Sequence, residues 1–160
     1  MPSLQWFQRN LVVKPSTIPN AGMGLFARED IPVGTRLGWY RGERMTTRQW
    51  ERCKNDEYIW LLLDDNGKEY YVDACNVVKN NKLRFVNGCI TPGQFACVNV
   101  EAYQKKDKIW YSTIKKISKG MELVVHYGED YFERGEKPPP KKKPLKTTRK
   151  KSVFTVEEDS

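Results

Sequence analysis

The sequence has a single histidine, His126, and no Cys-x-x-Cys pair. A tetrahedral zinc site draws on clustered cysteine and histidine ligands. Cys53, Cys75, Cys89 and Cys97 are scattered singly, so no metal site is expected. No apolar run approaches the roughly 20 residues of a membrane-spanning helix, and no signal peptide is evident. The expectation is a soluble intracellular protein with reduced thiols and no membrane partner. Internal repeats are absent, which argues against solenoid architectures. A regular alternation of strand and helix is also missing, which argues against a parallel α/β sheet.

What the chain does contain is enough to build a core. Of 160 residues, 39% are apolar and 12% aromatic, while 30% are charged, the amount of one ordinary domain with a solvated extension. The charge is unevenly placed. Lys137 to Lys151 carries seven lysines, one arginine and no acid, a local +8 that equals the net charge of the whole chain. Ser152 to Ser160 carries three acids and no base. Pro138-Pro139-Pro140 and Pro144 punctuate the basic run. Such a segment buries too little apolar surface to offset its ordering entropy. The expected organisation is therefore a domain over residues 1–136, with its core at about 11–132, and a disordered tail over 137–160, basic and then acidic. The tail reads first as a nuclear-import signal, and its charge suits non-specific contact with nucleic acid phosphates. A solubilising linker is the plainer reading.

The body reads as short strands between turn signals. Leu11 to Lys14 is ended by Pro15, and Pro19, Asn20, Gly22 and Gly24 mark an irregular loop. Leu25 to Ala27 and Leu37 to Arg41 are short strands around the turn Ile31-Pro32-Val33-Gly34. Thr46 to Lys54 is the best helix, with Thr46 or Thr47 as its N-cap. Tyr58 to Leu63 and Tyr70-Tyr71-Val72 flank Asp65-Asn66-Gly67, and an Asn-Gly pair there supplies the φ > 0 residues of a hairpin turn. Ile109 to Ile114 and Leu123 to Tyr127 are two further strands around Lys119-Gly120. The predicted class is mainly β, with few helices.

Gly22-Met23-Gly24-Leu25-Phe26-Ala27 fits G-x-G-x-x-A, and Glu43 lies where a ribose-binding acid would sit. A dinucleotide fingerprint must end a strand and open a helix. Pro15 and Pro19 break the approach, while Pro32 and Gly34 interrupt the span that a helix would need. The glycines therefore serve a tight turn or a close approach of the backbone to a ligand.

Three ordered segments carry a resemblance. The first is Pro15-Ser16-Thr17-Ile18-Pro19-Asn20-Ala21-Gly22-Met23-Gly24-Leu25-Phe26-Ala27, followed by Ile31 to Thr35 and Gly38 to Glu43. The second runs from Tyr58-Ile59-Trp60-Leu61 through Tyr71-Val72-Asp73-Ala74 to Leu83-Arg84-Phe85-Val86-Asn87. The third is Asn99-Val100-Glu101-Ala102-Tyr103-Gln104, then Ile109-Trp110-Tyr111, then Gly120-Met121-Glu122-Leu123-Val124-Val125-His126-Tyr127-Gly128. Together they resemble the SET family of protein-lysine methyltransferases, in its PR/SET branch.

The resemblance implies a fold of small β-sheets with a knot-like C-terminal threading. It also implies S-adenosylmethionine as methyl donor and a lysine channel entered from the opposite face. Ala21, Gly22, Met23 and Gly24 would line the methionine part of the cofactor. Tyr58 would touch it from across, Asn87 and Gly88 would receive the adenine side, and Arg84 would support that wall. Asn55, Asp56, Glu57, Tyr58, Ile59, Trp60 and Leu61 would border the peptide groove, and Tyr127 would be the active-site tyrosine, also touching the substrate. His126, on the same strand, should point the opposite way. With a basic tail, the implied substrates are histone tails or nucleosomes and the implied compartment is the nucleus. The sequence departs from the family in two places. Gly88 stands where many SET enzymes have histidine, and Val125 stands where an aromatic often tunes the number of methyls added. A PR/SET-like interaction module without catalysis is the competing reading.

Overall fold

The computed structural model describes Trp6 and residues 9–52, 58–76, 82–88 and 96–125. The expectations for Asn55, Asp56, Glu57, His126, Tyr127 and the tail 137–160 lie outside the described residues.

Strands dominate, as expected. They are β1 (Leu11–Pro15), β2 (Met23–Ala27), β3 (Arg36–Trp39), β4 (Glu43–Met45), β5 (Ile59–Leu63), β6 (Glu69–Asp73), β7 (Asn87–Gly88), β8 (Val100–Lys105), β9 (Lys108–Thr113) and β10 (Val124–Val125). One short helix, α1 (Thr47–Glu51), and one 3-10 turn, Lys82–Phe85, complete the described elements. They form a β1–β2 ribbon, a three-stranded sheet ordered β4-β6-β5 and a five-stranded sheet ordered β3-β9-β8-β10-β7.

Local chemistry explains most boundaries. Thr46 caps α1 in a capping box: its Oγ1 accepts from Gln49 N at 3.2 Å, and its N–H donates to Gln49 Oε1 at 2.8 Å. Two orphan donors of the first turn are thereby satisfied. The helix is shorter than the expected Thr46 to Lys54, because only Trp50 gives it an apolar anchor, stacked on Tyr71 at 5.0 Å.

The β5–β6 hairpin sits where the two apolar runs placed it, but the turn differs from the expected one. Only Gly67 of the Asn-Gly pair has positive φ, at 81°. Asp64 O accepts from Gly67 N, and Asp64 Oδ1 accepts from both Asn66 N and Lys68 N. This is a three-residue loop closed by a left-handed glycine. The aspartate side chain pins the turn, which is the usual way Asp competes for backbone donors.

The main core joins all three sheets. Leu11, Leu25, Ile31, Leu37, Trp60, Leu62, Tyr111, Ile117, Leu123 and Val125 are among its buried members. A smaller cluster of Ile59, Leu61 and Tyr71 forms beneath Met45 and Trp50. β5 thus buries both faces, Trp60 and Leu62 into one cluster, Ile59 and Leu61 into the other.

The C-terminal strand decides where the motifs meet. β10 lies between β7 and β8 and runs parallel to both, with Val124 opposite Asn87 and Val125 opposite Gly88 and Val100. The last described segment therefore enters between two strands that precede it in sequence. Residues 89–95, which bear on the knot-like threading, lie outside the described residues.

Candidate functional site

The three motifs converge on one carboxylate. Glu122 is 8% exposed and precedes β10, where bridges to Phe26 and the bond from Leu123 N to Leu25 O lay it along β2. Its Oε1 accepts from Thr17 N at 2.9 Å and Thr17 Oγ1 at 2.6 Å. Its Oε2 accepts from Ser16 Oγ at 2.7 Å and Asn87 Nδ2 at 3.2 Å. Asn87 Nδ2 also donates to Met23 O at 2.9 Å. The loop Ser16–Gly22, closed by Ser16 N donating to Gly22 O at 2.8 Å, is thus tied to the second and third motifs.

Gly24 is needed for this closure. A Cβ there would land on the Glu122 carboxylate, so the glycine permits a close approach of strand to side chain. Of the predicted cofactor residues, Gly24 and Gly88 are buried backbone, Ala21 and Asn87 are partly exposed, and Gly22 and Met23 are exposed. They form one connected patch around Glu122.

The predicted Tyr58 and Arg84 form a second, adjoining unit. The 3-10 turn that carries Arg84 packs against β1 and β2, and Lys82 Nζ fastens it by donating to Leu11 O at 2.8 Å. Burial, with Arg28 nearby, pulls the Lys82 ammonium below its ordinary pKa. The Arg84 guanidinium lies 4.3 Å from the centroid of the Tyr58 ring and 5.1 Å from that of Phe85. Its Nε is buried with no hydrogen-bond partner among the described residues. Tyr58 is held from behind, where its carbonyl accepts from Tyr40 Oη at 2.9 Å.

The predicted groove residues Ile59, Trp60 and Leu61 turn their side chains into the two cores. Trp60 Nε1 donates to Tyr111 Oη at 2.9 Å. Among the described residues β5 pairs as a strand with β6 alone, and on its other side Gln104 takes the N–H and C=O of Leu63, which leaves the edge at Ile59 and Leu61.

Three residues of this site were not singled out from sequence: Ser16, Thr17 and Glu122. The available signal was Glu122 itself, an acid set in the apolar stretch Leu123-Val124-Val125. A buried carboxylate needs donors, and a Ser-Thr pair beside the glycine loop supplies them.

The sequence profile of the PR domain of PR domain zinc finger protein 2 matches residues 11–138. The chain belongs to the PR/SET branch of the SET-domain family. Among its relatives, histone-lysine N-methyltransferase set-17 of Caenorhabditis elegans is 35% identical over 137 residues, 84% of this chain and 47% of the relative. Histone-lysine N-methyltransferase PRDM7 of Homo sapiens is 34% identical over 122 residues, 76% of this chain and 24% of the relative. The solved methyltransferase domain of human PR domain-containing protein 2 superposes with a TM-score of 0.62 at 29% identity, covering 76% of this chain and 79% of that one. The chain thus spans about half the length of the first of these curated relatives and a quarter of the second. These matches make it a SET-type methyltransferase domain at the level of family, and they agree with the mainly β architecture.

The residues of this PR/SET domain fit a ligand rich in hydrogen-bond acceptors. The Nε–H of Arg84 lacks an acceptor among the described residues, which suits an amino-acid carboxylate or a purine nitrogen. At Gly24 the space a side chain would take is filled by the Glu122 carboxylate, so that glycine serves the junction itself.

Proposed function

We propose that this chain is an S-adenosylmethionine-dependent protein-lysine N-methyltransferase that acts on histone tails in the nucleus. The observation that carries the reading is the Glu122 junction, where Ser16 and Thr17, Asn87, and Glu122 itself bring the three motifs together. Two further observations support it: the relatives named as histone-lysine methyltransferases, and the open edge of β5 beside Tyr58.

When bound, the cofactor supplies an electrophilic methyl on a positive sulfonium. The chain's own task is placement, because an in-line displacement depends on alignment of the two reactants. In this reading Ala21, Gly22, Met23 and Gly24 hold one end of the cofactor. Asn87, Gly88 and Arg84 hold the other, with Tyr58 between them. A free lysine has a pKa of about 10.4 and must lose a proton to react. A desolvated channel lowers that value, and the Tyr127 hydroxyl orients the neutral amine. Asn55, Asp56, Glu57 and the β5 edge through Leu61 bind the flanking peptide.

The test pairs calorimetric titration of the full chain with S-adenosylmethionine and methylation of core histones by wild type and Tyr127→Phe. Cofactor binding, with activity reduced about a hundredfold or more in the variant, is the expected result. A folded protein that neither binds the cofactor nor methylates any histone is a PR/SET interaction module instead, and Gly88 would be the first residue to examine.

A further inference from the structure

Away from the Glu122 junction, the outer face of the β3-β9-β8 part of the large sheet carries an unusual concentration of positive charge. Along β9, Ile109, Tyr111 and Thr113 are buried, so Lys108, Trp110 and Ser112 point outward. The register places Trp39 beside Trp110, and Trp110 beside Tyr103, in one aromatic rung across three strands. Trp39 and Trp110 are only partly buried.

Cations sit over these rings. The Arg41 guanidinium is 4.4 Å and Lys108 Nζ 5.1 Å from the Trp39 centroid, and Arg36 is 4.8 Å from that of Trp110. Lys105 is the register partner of Lys108, a like-charge pairing that costs the folded state some stability. Lys106 is exposed at the tip of the same hairpin. Next to this face, Arg44 lines a cavity of about 160 Å³ together with Trp39, Tyr70 and Asp107, and lies 3.8 Å from the Tyr70 centroid. Asp64 and Asp65 act on Tyr70 at the Arg44 corner; without that corner, the five cations Arg36, Arg41, Lys105, Lys106 and Lys108 stand against two acids, Glu101 and Asp107. Asp107 pairs with Lys108 at 3.3 Å in a solvent-exposed contact, of a kind worth little.

We propose that this face binds the phosphate backbone of double-helical nucleic acid, as a second contact independent of the basic tail. The rings already hold the protein's own cations, so they brace guanidinium groups rather than stack on bases. A guanidinium is a planar fork of donors that matches a phosphodiester, and a ring beneath it limits the freedom it must lose on binding. An anionic partner also relieves the repulsion between Lys105 and Lys108. Recognition on this face is therefore of backbone charge, without base readout.

The experiment measures the affinity of the full chain for a mixed-sequence DNA duplex across a salt series. It compares wild type, the face variant R36Q/R41Q/K105Q/K108Q, and a variant with the seven tail lysines changed to glutamine. The face variant is expected to bind at least about tenfold more weakly, with a salt slope shallower by up to about four, one for each lost phosphate contact. Changing the duplex sequence should leave both values alone. Unchanged affinity and slope in the face variant, with all loss in the tail variant, overturns the proposal. So does poly-glutamate competing as well as duplex, which would make the partner an acidic protein. In the wild-type chain, mass spectrometry should find Lys105 and Lys108 protected from acetylation by duplex. Equal labelling with and without duplex counts against the face even where the variant fails to fold.

Discussion

Glu122 occupies the space that any side chain on Gly24 would need. The contact links the glycine loop to the residue ahead of β10, and it is testable as a coupling. Gly24→Ala should cost about 1–3 kcal/mol through overpacking. Glu122→Ala should cost about 3 kcal/mol, because Ser16, Thr17 and Asn87 lose a shared, charged acceptor. The double variant should be less destabilised than the sum, since removing the carboxylate makes room for the methyl group. Urea denaturation of the four proteins gives the coupling, expected at 1 kcal/mol or more. Strict additivity would mean that the two residues do not meet.

Asn87 separates the cofactor reading from a purely structural one. Its amide bridges Met23 O and Glu122 Oε2 from a partly exposed position. Asn87→Ala should cost only about 1 kcal/mol of stability. It should nonetheless weaken S-adenosylmethionine binding about tenfold by calorimetry, because the wall it fixes is the one assigned to the cofactor. Unchanged affinity in a folded variant would move the cofactor away from this wall.

The fold class, the hairpin of β5 and β6 and the Thr46 cap were legible in the sequence because each rests on local chemistry or short spacing, whereas the motif residues around Glu122 came from the family resemblance. What depends on contacts distant in sequence was not legible. Ser16 and Thr17 are more than a hundred residues from Glu122, and no local pattern pairs them. β8, though quoted within the third motif, was not read as a strand, since buried Gln104 looks polar until its amide is seen bonding both Leu63 N and Leu63 O. β7, at two residues, carries no periodicity, whereas β10 lies within the expected strand Leu123 to Tyr127. The Asn-Gly signal was correct for a turn and misleading about its type, because Asp64 dictates the loop through its own side chain. Trp60 and Leu61 read as groove residues from the resemblance, whereas burial makes their side chains core.

Asn99 is a third checkpoint. It is 2% exposed, donates through Nδ2 to Glu122 O at 2.9 Å and accepts at Oδ1 from Val124 N at 2.8 Å. One amide thereby takes the place of two ladder bonds beside β10. Asn99→Ala strands a buried donor and a buried acceptor and should cost about 2–4 kcal/mol in thermal or urea unfolding. Asn99→Asp should be no better, because it removes the donor to Glu122 O and buries a charge beside a carbonyl. If Asn99→Asp proved as stable as wild type at neutral pH, the assigned direction of this pair of bonds would be wrong.

Two adjacent tyrosines on β6 should make the protein sensitive to alkali. Burial raises the pKa of Tyr70 above its ordinary 10.0, with Arg44 opposing, and burial together with Glu69 raises that of Tyr71. A raised folded-state pKa contributes stability that is complete below the unfolded value. That stability is lost as pH climbs from there through the folded value, because the unfolded chain releases protons that the folded chain retains. Melting temperature should therefore fall progressively above pH 10. Tyr71→Phe keeps the ring stacked on Trp50 and gives up a long 3.5 Å contact to Glu69 and a hydrogen bond with Thr47. It should melt close to wild type at pH 8 and lose less between pH 10 and 11. Because both proteins carry the same lysines, the difference between their slopes isolates the tyrosine. Parallel slopes would show that the Tyr71 phenol ionises as readily in the folded chain as in the unfolded one, and that its burial does not govern its protonation.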